Sequence, residues 1–132
     1  MQLEKLTFEG IRARPVLLKL KRPIVARIAT ITEWPLILID LYTKEGITGR
    51  SYLEPYVAKS MRYLIPALND LSDLFKGREV TATELFDAGR KSLHFLGYEG
   101  MSMIAVSGLD MAAWDALAKA AGMPLCVLLG GS

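Results

Sequence analysis

The chain of 132 residues has little of what most often carries chemistry: one cysteine, Cys126, and one histidine, His94. A single thiol excludes an internal disulfide, and its apolar setting predicts a buried thiol in a reducing compartment, the cytoplasm. His94 has no partner at metal-ligand spacing, so it reads as part of a helix surface or core, and no metal site is expected in this chain. Ser51, His94 and Asp40 make a nucleophilic triad only by selection. Gly130 and Gly131 follow an apolar turn without a Lys-Ser/Thr partner, which gives no phosphate-cradling loop. A charge excess is missing too. The 16 basic and 14 acidic residues leave a net +2, too balanced to indicate nucleic acid, although Lys19, Lys21, Arg22 and Arg27 form a local basic cluster. No segment approaches about 18 uninterrupted apolar residues, and the first residues lack a basic region followed by an apolar one, so neither membrane insertion nor export is expected.

What is present is apolar surface, 52% of residues with a mean hydropathy of +0.28, enough for one packed domain. Leu3 to Leu20 favours extended structure, with Gly10 and Pro15 suggesting a bulge or sheet edge. LILIDLY, residues 36–42, reads as a strand covered on both faces, and TKEG turns the chain into ITGRSYL. After Tyr56 the period changes to three and four: Met61, Leu64, Ile65, Leu68, Leu71 and Phe75 predict a helix stopped by Gly77, with Pro66 implying a kink or late start. Thr81 and Glu84 have capping-box spacing and open a second helix ended by Gly97. A third helix runs from about Met101 to Ala121, with Met101, Met103 and Met111 expected to fill core gaps, and LCVLLGG forms a short turn or connector. Strands followed by helices make this α+β: a three-stranded antiparallel meander and then a bundle of three to four helices.

Residues 21–35, KRPIVARIATITEWP, do not resemble an ordinary loop. This connection contains Ile24, Val25, Ile28, Ile31 and Trp34 and no Gly, Asn or Asp for a tight turn. Each such side chain forfeits about 1.5–3 kcal/mol if it stays in water rather than being buried. Two readings stand level: a lid that closes over a ligand or neighbouring domain, or strand continued further and packed on its own core.

The third helix poses the other question. At about 100° per residue, Met103, Asp110, Trp114, Leu117 and Ala121 share one stripe, so Asp110 lies among large apolar neighbours. Ala105, Gly108, Ala112, Asp115 and Lys119 lie opposite, where small side chains let another backbone come close. Asp115 and Lys119 read as an ordinary i,i+4 pair contributing about 0.2–0.5 kcal/mol if solvated.

Residues 105–130, AVSGLDMAAWDALAKAAGMPLCVLLG, resemble the signature of the mandelate racemase and muconate lactonizing enzyme family of the enolase superfamily. Asp110, Trp114, Asp115 and Lys119 are its structural signature here, and PLILIDLYTKEGITGRSYL, residues 35–53, is similar to the second and third strands of the same family's N-terminal domain. The resemblance implies a capping domain, residues 1–122, and a connector, residues 123–132, toward a (β/α)-barrel that this chain does not include. It implies a parent enzyme, a racemase, acid-sugar dehydratase or cycloisomerase, whose barrel supplies the acid and base groups and binds Mg²⁺. No catalytic residue and no cofactor is then expected in this chain, which alone would be incomplete as an enzyme. By position, Ile24, Val25, Arg27, Ile28 and Ile31 would line the lid, and Glu54 and Tyr56 the loop after the third strand. Glu54 and Arg27 depart from the aromatic and small residues of mandelate racemase, which favours a more polar carboxylic acid as substrate. Asp110 would be a structural acceptor satisfied by backbone N–H groups or an arginine. In the intact enzyme the third helix would be enclosed between the cap's own core and the barrel, so that its small and large faces both find neighbours, and the surface the barrel normally covers predicts a homo-oligomer of this chain. The alternative is a free-standing interaction or regulatory module derived from such a cap.

Overall fold

A computed structural model describes residues 4–132. Leu3, the expected start of the first strand, and the first residues of the expected domain lie outside the described residues. Strands β1 (Phe8–Val25), β2 (Thr30–Thr43) and β3 (Thr48–Leu53) form an antiparallel meander in the order β1-β2-β3. Gly46, with φ of 84°, supplies the left-handed conformation at the turn between β2 and β3. Helices α1 (Met61–Phe75), α2 (Ala82–Ser92), α3 (Met101–Ala120) and the single turn α4 (Leu125–Leu128) follow, with short 3₁₀ turns at Ala58–Ser60 and His94–Leu96.

Alternation along the strands sets the layers. Ile37, Ile39 and Leu41 are fully buried against the helices, and register places Ala13, Ile39 and Ser51 on one line across the sheet. Helix α1 contributes Met61, Leu64, Leu68, Leu71 and Phe75, the three-and-four stripe read from the sequence. Phe75 meets Phe8 edge to face. Pro66 neither delays nor ends α1, which starts ahead of it at Met61. It lies on the exposed face, where the carbonyl deprived of its helical donor meets water. Thr81 and Glu84 meet side chain to side chain at 3.2 Å, but neither caps a backbone N–H.

Strand β2 is not covered on both faces as expected. Helices pack on one face, while Leu36, Leu38 and Tyr42 on the other are half-buried. The small-residue side of α3 is likewise not waiting for a partner. Gly108 lies against Leu53 and Ile39, and a Cβ at Gly49 would come 2.0 Å from the Ala112 carbonyl oxygen, so helix and strand touch backbone to backbone. Ala105, Gly108, Ala112 and Ala116 are buried by this chain's own sheet.

Candidate functional site

The segment between the first two strands is a β-hairpin arm. Regular pairing of β1 and β2 continues to Lys19↔Glu33, is interrupted by an irregularity, and resumes at Ile24↔Ile31 and Val25↔Thr30. The Ala26 N–H donates to the Ala29 carbonyl at 2.9 Å and closes the tip around Arg27 and Ile28. The expectation of continued strand holds, but packing on the chain's own core does not: every residue from 21 to 30 is exposed, with Val25 79% and Ile28 94% accessible. Ile24 is 44% accessible and Ile31 half-buried. Lys19, Lys21, Arg22 and Arg27 all ride on this arm, exposed.

Beside the arm's base, β3 ends at Leu53, opposite Ile37. The topology therefore brings Glu54 and Tyr56 to the end of the sheet from which the arm projects. Glu54 is half-buried and Pro55 buried, whereas Tyr56 is 75% exposed. Among the described residues Tyr56 is the one non-glycine with positive φ, 62°. Such a conformation in a bulky residue costs free energy and persists only when its surroundings hold it. Here the Val57 N–H donates to the Pro55 carbonyl at 2.7 Å, and the Ser60 hydroxyl reaches the same oxygen at 2.6 Å. The turn thus presents the Tyr56 ring outward.

The signature residues of α3 divide. Asp115 accepts from the Arg50 backbone N–H at 2.7 Å and from Lys119 Nζ at 2.6 Å, and Lys119 Nζ donates to the Thr48 carbonyl at 2.9 Å. Arg50 and Thr48 point these groups away from β2, so the pair fills the free edge of β3 as a neighbouring strand would. It is more than the solvated helix pair expected from spacing. Asp110 and Trp114 instead line a recess of about 320 Å³ with Ala82, Thr83, Phe86 and Asp87. No hydrogen bond reaches the Asp110 carboxylate among the described residues, so any donor expected to satisfy it in the intact enzyme lies outside them, and burial pushes its pKa above the ordinary carboxylate value.

Other expectations are corrected by exposure. Cys126 is exposed, because α4 is a single turn on the surface. Met101 and Met111 are 51% and 41% accessible and fill no core gap, while Met61 does. His94 takes the surface place among those expected of it, in an exposed 3₁₀ turn, hydrogen-bonded to the Tyr98 hydroxyl.

One cluster escaped the sequence reading. Asp40 is 9% accessible on the helix-free face of the sheet. Arg14 Nη2 of β1 donates to it at 2.8 Å and Arg50 Nε of β3 at 3.2 Å. Its only signal was an acid inside an apolar strand, which register alone connects to arginines on both neighbours.

Among the described residues no three His, Cys, Asp or Glu side chains converge as a metal requires, and no helix is long and apolar enough to cross a membrane. Residues 9–130 match the model of the N-terminal domain of mandelate racemase / muconate lactonizing enzyme. The chain belongs to this family. Among curated relatives of this family domain, D-galactonate dehydratase of Pectobacterium atrosepticum is 32% identical over 111 residues, 80% of this chain and 28% of the relative. The Ralstonia pickettii D-galactonate dehydratase is 31% identical over 101 residues, 75% of this chain and 25% of the relative. Among solved structures, an enolase from alpha proteobacterium bal199 with bound Mg is 65% identical with a TM-score of 0.93, covering 96% of this chain and 35% of that one. An enolase from Bradyrhizobium complexed with magnesium and mandelic acid is 37% identical with a TM-score of 0.92, covering 99% and 36%. The chain thus spans about a quarter of the curated relatives and a third of the solved ones.

Proposed function

We propose that this domain caps the active site of an enzyme that removes a proton next to a carboxylate: a racemase, acid-sugar dehydratase or cycloisomerase. Residues 1–122 form the cap and residues 123–132 the connector to a (β/α)-barrel. The observation that carries the reading is the projecting arm, whose apolar tip no other part of the described chain buries. In the closed enzyme Ile24, Val25, Ile28 and Ile31 cover the bound acid and exclude water, which strengthens the electrostatic interactions inside the site. Arg27 at the tip, and Glu54 with Tyr56 at the base, give this cover a polar and hydrogen-bonding side. That side suits a hydroxylated acid better than an aromatic one, in keeping with the relatives named D-galactonate dehydratase.

Relatives hold Mg, but no three donor side chains among the described residues converge on a metal site, and no step in the domain passes through one. The acid, base and metal ligands belong to the barrel. The domain's own work is to orient the acid and keep water from the reacting carbon.

Replacing Ile24, Val25 and Ile28 together by Ser in the full-length enzyme is expected to lower kcat/KM for a sugar acid roughly tenfold or more, while the 132-residue chain alone exchanges no substrate proton in D₂O. An unchanged kcat/KM, or saturable Mg²⁺-dependent exchange by the pure chain, would overturn the assignment. A second reading, a free-standing interaction or regulatory module, is favoured by one observation: the small-residue face of α3 is already enclosed by its own sheet. In that case the full-length gene product shows no turnover whatever the state of the arm. Under either reading the exposed apolar surface leads to self-association, and a monomer by light scattering at high concentration counts against it.

A further inference from the structure

The helix-free face of the sheet has an unbalanced composition. From β1 it presents Arg12, Arg14, Val16 and Leu18, from β2 Trp34, Leu36, Leu38, Asp40 and Tyr42, and from β3 Thr48, Arg50 and Tyr52. Three arginines thus share this largely apolar face with one carboxylate, Asp40, which Arg14 and Arg50 contact. Asp40 is already shared by Arg14 Nη2 and Arg50 Nε. Arg14 Nε is shut away from solvent without an acceptor, and no hydrogen bond from Arg14 Nη1 or either Nη of Arg50 is formed among the described residues. Arg14, Leu38, Asp40, Arg50 and Tyr52 line a recess of about 370 Å³ at this point. Guanidinium forks match carboxylates in geometry as well as charge, so the Nη groups left without an acceptor suit a partner carboxylate.

We propose that this face docks an acidic protein surface, with a partner carboxylate seated in the recess between Arg14 and Arg50 and its apolar neighbours packed on Leu36, Leu38 and Tyr52. Charge decides the partner's chemistry. The same face of a second copy would set arginines against arginines, whereas an Asp or Glu ringed by apolar side chains completes both the ionic and the apolar demands. A free small acid would satisfy the guanidinium groups but leave the half-buried leucines uncovered.

The test uses the whole 132-residue chain and follows the Arg Nε–H resonances by NMR during titration with acetyl-Leu-Glu-Leu-amide, its Gln counterpart, and propionate at matched ionic strength. The Glu peptide is expected to shift the Arg14 and Arg50 resonances saturably and to bind roughly tenfold or more tightly than the other two. Arg50→Gln, at a side chain 73% exposed and therefore tolerated by the fold, is expected to remove that preference. Lys91→Gln, on α2, is expected to keep it. Equal binding of the Glu and Gln peptides, propionate binding as tightly as the Glu peptide, or an unchanged preference in Arg50→Gln would each overturn the proposal.

Discussion

The two halves of the β1–β2 hairpin are built from similar residues and live in opposite surroundings. Near β3, Ile37, Ile39 and Leu41 are fully buried under α1 and α3; beyond Pro35, residues 21 to 30 are exposed throughout, although Ile24, Val25 and Ile28 are just as apolar. Apolar character therefore does not report burial by itself. What separates the halves is the third strand: β3 stops opposite Ile37, and the helices that follow it cover only the three-stranded part of the sheet. The core half holds the domain together, and the arm is free to serve something else.

That contrast is sharpest where the core is tightest. Gly49→Val is expected to cost at least about 3 kcal/mol in chemical denaturation, because the new side chain meets the Ala112 carbonyl of α3 rather than a movable side chain. A cost under about 1 kcal/mol would mean that sheet and helix are not in backbone contact. Next comes the edge of β3: Asp115→Ala should lose about 1–2 kcal/mol, since the Arg50 N–H loses its acceptor and Lys119 loses one of its two. Asp115→Asn, which keeps an acceptor oxygen for the Arg50 N–H, should recover part of it.

A smaller effect of opposite sign is expected at Asp110, whose pKa is raised by burial. Below the ordinary aspartate value both folded and unfolded chains are protonated, so wild type and Asp110→Asn differ little. As pH rises through that value toward the higher folded one, the unfolded chain ionises first, and wild type loses stability relative to the variant. Denaturation midpoints across that range check the sign; a variant losing stability as pH rises would indicate a partner for the carboxylate. The smallest effect belongs to the arm, where Ile28→Ser should leave the domain's stability within about 0.5 kcal/mol by the same assay. A larger loss would show that the tip packs on the domain after all.

The strands, the three main helices and the stops at Gly46 and Gly77 were legible because each rests on local rules of alternation, helical spacing and positive φ, whereas α2 ends at Ser92 and a 3₁₀ turn at His94–Leu96 separates it from Gly97, which was expected to end it. The extent of β1 and β2 was not, because pairing between Ile24 and Ile31 depends on a partner strand and overrides the turn chemistry that ends a strand. Around the candidate site, Ile24 to Ile31, Glu54 and Tyr56 were named from position in the chain, and the fold brings them to one end of the sheet. The Asp40 cluster and the role of Asp115 and Lys119 at the β3 edge were invisible, since their partners stand 10 to 71 residues away.

By itself the sequence determined the class of fold, the family and the buried stripe of α1, since period and signature are properties of neighbouring residues along one chain. Only the tertiary structure decided that the small face of α3 is closed by β3, that Asp110 has no hydrogen-bond partner among the described residues, and that the connection between the first strands is an exposed hairpin. Burial and pairing depend on which surfaces meet in space, and the order of residues along the chain carries that information only through the fold.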